Sequence, residues 1–103
     1  MEQHAFKALA DPTRRDILRL LANQEMTIAQ VSDQFVMTRA AVKKHLVVLG
    51  DGGLIRTRAE GRTQVNTFHP EGFSPVHSWI GNFDQFWDAR LQKLKSAIEG
   101  KTS

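Results

Sequence analysis

The sequence predicts a mainly α fold with a small β-hairpin, in the order α-α-α-α-β-β-α. Three observations lead to it. Apolar residues recur at helical spacing through residues 5–51, two short β-branched runs flank a glycine turn near residue 61, and a wide apolar stripe follows residue 73. At 103 residues the chain is long enough for one domain, expected at 1–99, with a frayed tail over 100–103.

The first helix is read over Ala5-Phe6-Lys7-Ala8-Leu9-Ala10. Asp11-Pro12 then starts a second. Aspartate caps free backbone N–H groups, and proline suits the first helical position because its missing N–H costs nothing there. Ile17, Leu18, Leu20 and Leu21 form the buried stripe of this helix, which is expected to end near Asn23. Thr27 and Gln30 have the spacing of a capping box. They open a short third helix whose apolar face is Ile28, Val31 and Phe35, followed by a tight connection at Val36-Met37. Thr38 caps a fourth helix through Asp51, with Val42, Leu46 and Leu49 inward. Gly52-Gly53 ends it, since glycine accepts the left-handed conformation of many helix ends. Leu54–Arg58 and Thr63–Phe68 read as two strands around Ala59-Glu60-Gly61-Arg62. A last helix is expected over Phe73 to Ile98.

Composition excludes several classes of function. Cysteine is absent, which removes disulfides, thiolate metal sites and thiol redox sensing. Hydrophobic residues make up 41%, too many for a disordered chain. No apolar run reaches the length of a membrane span, and the N-terminus lacks a signal-peptide pattern, so a cytoplasmic protein is expected. None of GxSxG, a P-loop, GxGxxG or HExxH occurs, so no enzyme is expected.

Charge is unevenly spread. Residues 38–64 carry six bases (Arg39, Lys43, Lys44, Arg56, Arg58, Arg62) against two acids, whereas 1–37 hold four bases and five acids and 65–103 hold four of each. A basic window inside a near-neutral chain points to a polyanion. Two short helices joined by a turn, the second one basic, describe a helix-turn-helix. On a helical wheel Ala40, Lys44 and Val47 point away from the core, Lys43 lies on the flank, and Arg39 reaches out from the first turn. Such side chains read base edges in the major groove of double-stranded DNA, while Thr38 and the free N–H groups of the first turn suit a phosphate. Arg58, Glu60, Gly61 and Arg62 surround the hairpin tip, where arginine can reach the adjacent backbone or minor groove.

These residues resemble a known family. Phe6-Lys7-Ala8-Leu9-Ala10-Asp11-Pro12-Thr13-Arg14-Arg15, Ala40-Ala41-Val42-Lys43-Lys44-His45-Leu46 with Gly53-Leu54-Ile55, and Glu60-Gly61-Arg62 look like three separated motifs of the ArsR-type (ArsR/SmtB) winged helix-turn-helix regulators, in the right order. The resemblance implies a homodimeric repressor on a palindromic operator. It places Thr38, Arg39, Ala40, Lys43 and Lys44 against DNA, with Arg62 in the wing. Lys43 stands where the family often has serine, which should raise phosphate affinity, and Phe68 replaces a frequent tyrosine.

Relatives of this kind often sense metals through cysteines ahead of the recognition helix, or through Asp and His along the last helix. Residues 27–34 contain no thiol, and His77, Asp84 and Asp88 are too few at offsets of seven and eleven for a convergent site. No metal or cofactor is expected. His4 and His69 read as surface residues, and His45 as a residue that packs or makes a backbone contact rather than a ligand. Five of the eight aromatics lie between Phe73 and Trp87. Trp79, Phe83, Phe86, Trp87, Leu91, Leu94 and Ile98 form one apolar face, larger than a small core needs. It is read as part core and part dimer interface, shared with Phe6 and Leu9. The residues name no small-molecule effector. A metal- or ligand-responsive repressor is one alternative. A winged-helix protein-interaction module is another, though it calls for an apolar or acidic reading face rather than a basic one.

Overall fold

The computed structural model describes residues 2–102; Met1 and Ser103 lie outside it. The first helix, α1 (Glu2–Leu9), gives its buried face, Ala5 and Ala8, to the core. Asp11 caps α2 (Pro12–Asn23) by accepting the Arg14 backbone N–H at 3.0 Å, with Pro12 at the first position. Of the expected stripe, Ile17, Leu18 and Leu21 are buried, and Leu20 is half-exposed. The capping box at Thr27 and Gln30 forms as read, and opens α3 (Ile28–Ser32). Thr38 accepts the Ala41 N–H and caps α4 (Arg39–Asp51), whose Val42, Leu46 and Leu49 are buried. Gly53 ends this segment with φ 75°.

The hairpin pairs β2 (Ile55–Glu60) with β3 (Thr63–Phe68) in antiparallel register from Ile55–Phe68 to Glu60–Thr63. Gly61 takes φ 63° at the first of the two loop positions, the arrangement of a type II′ turn. A third strand was not legible in the sequence. Met26–Thr27 forms β1, which pairs with β3 at Asn66 and Val65, so the sheet order is β1-β3-β2. Two residues are too short for any periodicity, and only the arrival of β3 defines them as a strand.

The single last helix expected over Phe73 to Ile98 is two helices, α5 (Ser74–Gly81) and α6 (Asp84–Thr102), preceded by a 3-10 turn (Pro70–Phe73). The break falls at Gly81-Asn82, both poor helix formers. Asn82 and Phe83 donate to the Trp79 and Ile80 carbonyls, closing α5 with tight turns. Asp84 then favours a new N-terminus through the helix dipole. The tail expected to fray over 100–103 lies partly outside the described residues, in which α6 ends at Thr102. Lys95 and Glu99, four residues apart, pair along its later turns.

α5 rests on α1, where Trp79 meets Phe6 edge-on at 5.9 Å. Every residue from Asn82 to Gly100 is exposed. α6 therefore gives nothing to this chain's own core. The radius of gyration, 18.2 Å, exceeds the roughly 13 Å of a compact chain of this length, and the longest dimension is 62 Å. Among the described residues no helix is long and apolar enough to cross a membrane.

Candidate nucleic-acid interface

The outward face of α4 is fixed from two ends. At its N-terminus, Thr38 sets the direction of the first turn. On its inner side, the His45 ring lies against the α1–α2 junction, with Nδ1 3.5 Å from Arg14 Nη1 and 4.0 Å from the Asp11 carboxylate. Arg14 also donates from Nε to the Ala8 carbonyl and from Nη2 to the Lys7 carbonyl, both at 2.8 Å. Arg15 donates to the Leu9 carbonyl at 2.7 Å. The Asp11-Pro12-Thr13-Arg14-Arg15 run is thus a local construction: it starts α2, satisfies the last carbonyls of α1 and seats the recognition helix. The His45 ring makes these side-chain contacts, where packing or a backbone contact was expected.

With its inner face so occupied, α4 turns Arg39, Ala40, Lys43, Lys44 and Val47 to solvent. The hairpin stands beside it. Between them runs an open groove of about 650 Å³, lined among others by Arg39, Lys43, Val47, Arg62 and Gln64. Arg39, Lys43, Lys44 and Arg62 have no ion-pair partner among the described residues. Three uncompensated cations therefore share one concave surface with a single acid, Asp51. Thr38 and Ala40 are exposed on the first turn of α4, and Lys44 lies on the exposed face outside the groove lining.

Arg58 is not brought to this groove. Its guanidinium forks onto Glu25, Nη1 to Oε2 at 2.6 Å and Nη2 to Oε1 at 2.7 Å, and also reaches Glu60 at 3.0 Å. The sequence reading missed Gln64 and Thr57, which line the groove. Strand parity was the available signal: Val65 is buried, so Gln64 and Asn66 must face the other way. Asn66, the one buried polar residue among those described, accepts from Thr57 Oγ1 and donates to the Met26 carbonyl, both at 3.2 Å. Among the described residues no three His, Asp or Glu side chains come together.

Two carboxyls in this framework titrate low. The Arg14 backbone N–H holds the Asp11 carboxyl below its ordinary range, and the Arg58 guanidinium does the same for Glu25. A depressed carboxylate stabilises the fold fully above its unfolded pKa, and that contribution is lost as pH falls through the folded value. The thermal midpoint should therefore hold from neutrality down to about pH 5 and fall below about pH 4. Asp11→Asn keeps a cap and should flatten part of that fall, as read by calorimetry across the pH series.

A capped reading helix, its supporting helix and a basic hairpin beside it define a winged helix-turn-helix domain. Comparison with known proteins agrees. A helix-turn-helix domain model matches residues 9–58. The HTH-type transcriptional regulator Rv2034 of Mycobacterium tuberculosis is 30% identical over 97 residues, spanning 94% of this chain and 88% of that protein. The transcriptional repressor SdpR of Bacillus subtilis is 29% identical over 80 residues, or 78% and 89% of the two chains. Among solved structures, the ArsR family transcriptional regulator RHA00566 superposes with a TM-score of 0.74 at 34% identity, over 84% of this chain and 89% of that one. The homodimeric winged helix-turn-helix DNA-binding domain of Mb0332 from Mycobacterium bovis gives 0.66 at 26% identity, over 81% and 77%. The chain belongs to the ArsR family of winged helix-turn-helix transcriptional regulators.

Proposed function

We propose that the chain binds a palindromic operator as a cytoplasmic homodimer and represses transcription by occlusion, with no catalytic activity of its own. The observation that carries this reading is the groove between α4 and the wing, where Arg39, Lys43 and Arg62 stand without acidic partners. Arg39, Ala40, Lys43 and Lys44 face bases and backbone in the major groove, Thr38 and the first-turn N–H groups take a phosphate, and Arg62 reaches the flanking backbone or minor groove. The exposed apolar face of α5 and α6 supports the dimer, as does the homodimeric state of the Mb0332 domain. Two reading helices related by a two-fold axis then enter successive major grooves about 34–36 Å apart, and the bound dimer blocks polymerase.

The test is selection of bound sequences from a random DNA pool at physiological salt, with and without chelator. An enriched inverted repeat that is indifferent to chelator supports the reading. Enrichment that disappears with chelator makes the repressor metal-dependent, and no enrichment in either arm removes the operator reading. On the selected site, Arg39→Ala or Lys44→Ala should cost about 1–3 kcal/mol where the side chain reads a base, with relaxed preference at one position. Where it neutralises a phosphate, the substitution instead weakens all sequences alike and flattens the salt dependence. Unchanged binding by both variants would show that α4 docks in another orientation.

A further inference from the structure

We propose that Arg58 and Glu25 form a brace that positions the wing on DNA, and that Arg58 itself touches no phosphate. The proposal rests on the DNA-binding reading above and adds a positioning pair to it.

Strand parity puts Arg58 on the wrong face for DNA. Thr57, Gln64 and Asn66 line the reading groove, and the pairs Thr57–Asn66 and Ala59–Gln64 share that face. Arg58 pairs with Val65, whose side chain is buried on the opposite face. Its charge is also compensated. Two carboxylates, Glu25 and Glu60, hold one guanidinium, so the cluster is net negative and repels a phosphate.

The position of the fork gives it a use. β3 is the middle strand, and Glu25 immediately precedes β1 at the far edge. Arg58 on β2 therefore spans the sheet. β1 pairs with β3 only at Asn66 and Val65. Beyond that rung the hairpin from Ala59 to Gln64 is a two-stranded ribbon, and such a ribbon is marginal alone in water. Arg58–Val65 is the last supported rung before it. On the groove face, Asn66 ties the neighbouring rung to the Met26 carbonyl. On the other face, Arg58 ties the last rung to Glu25 through two parallel hydrogen bonds, the geometry that fixes direction as well as distance. Arg62 lies four residues beyond this pivot, so a small tilt there carries its guanidinium off the DNA. Half-exposed ion pairs add little to global stability, so the brace acts on wing direction more than on folding.

The experiment uses the full chain and compares Glu25→Gln, Arg58→Gln, the double variant, the exchange Glu25→Arg with Arg58→Glu, and Arg62→Ala. Operator affinity is measured across a salt series, and amide exchange over residues 59–64 is measured in the free protein. Glu25→Gln and Arg58→Gln should each weaken binding by roughly tenfold, and the double variant should be no worse than either. The exchanged pair should recover part of the loss. Because both single variants release Arg62, the slope of affinity against salt should fall equally in the two and by no more than in Arg62→Ala, which lowers it by about one for each phosphate no longer neutralised. Hairpin amides should exchange faster in both single variants, with melting temperatures near the parent's.

A lowered salt slope in Arg58→Gln with intact binding in Glu25→Gln would make Arg58 a phosphate ligand and overturn the brace. So would binding unchanged in both variants, or an exchanged pair that folds but recovers nothing. If the parent chain binds no DNA, the DNA reading fails by itself. The exchange data then decide the brace: faster hairpin exchange upholds it, and unchanged exchange overturns it.

Discussion

Replacing Leu91 with glutamate should leave the chain folded, monomeric and unable to hold its operator. Leu91 is 61% exposed in the isolated chain and sits mid-way along α6. Phe83, Trp87, Leu91, Leu94 and Ile98 follow at spacings of three and four, so they make one continuous face, and all are exposed. Trp79, Ile80, Phe83, Phe86 and Trp87 line a cleft of about 400 Å³ that continues this face onto α5. A contiguous exposed apolar face of this kind marks an interaction surface. Of the residues expected at the interface, Leu9 packs partly into the core and Phe6 lies half-buried against Trp79. Trp79 meets Phe6 yet keeps about half of its surface, and Phe83, Phe86, Trp87, Leu91 and Leu94 are all exposed.

A glutamate at position 91 would be buried twice, once per protomer, without a cation. An unpaired buried charge costs several kcal/mol, and about 3 kcal/mol per dimer already weakens association more than 100-fold. Without the dimer, each reading helix engages a single half-site, and a further loss of about 10² or more in operator affinity follows from lost bivalency. Sedimentation and DNA titration read the two effects separately. Leu91 contributes to no core within its own chain, so circular dichroism should match the parent. A variant that stays dimeric would place the interface on another surface.

The second large effect is on stability and comes from a single methyl group. In Gly72→Ala, a Cβ built on the present backbone lies 1.7 Å from the Gly53 carbonyl oxygen and 2.6 Å from its carbon. Neither atom is free to yield. Gly53 is held in the left-handed region at the end of α4, Leu54 N–H is bound to the Leu49 carbonyl, and His69 N–H is bound to the Leu54 carbonyl. Relief requires the 3-10 turn to pull away from the end of α4, taking Phe73 from its packing against Phe68 at 5.3 Å. We expect a loss of about 3 kcal/mol or more, the upper range for overpacking. For a chain of this size that is a fall in thermal midpoint of roughly 12 °C or more. Gly50→Ala supplies the contrast. Gly50 lies inside α4 with nothing within 4 Å of the added methyl, so alanine should stabilise by up to about 1 kcal/mol through helix propensity. Equal midpoints for the two variants would overturn the steric role assigned to Gly72.

Asp11, Thr27, Thr38, Gly53 and Gly61 were all legible in the sequence as caps or turn residues, and each does that job in the fold. The inward face of α4 was legible too, and with it the outward set from Arg39 to Val47. These features depend on partners no more than a few positions away, so chain order alone determines them. Tertiary structure decided the rest. β1 exists because β3, some 40 residues later, offers it hydrogen bonds. Arg58 looked like Arg62 until the register put it opposite Val65 and 33 residues of chain returned Glu25 to its guanidinium. The stripe from Trp79 to Ile98 was legible as apolar, but spacing records only that a face avoids water. Whether this chain or a second copy covers it depends on the break at Gly81-Asn82, which carries α6 away from the core.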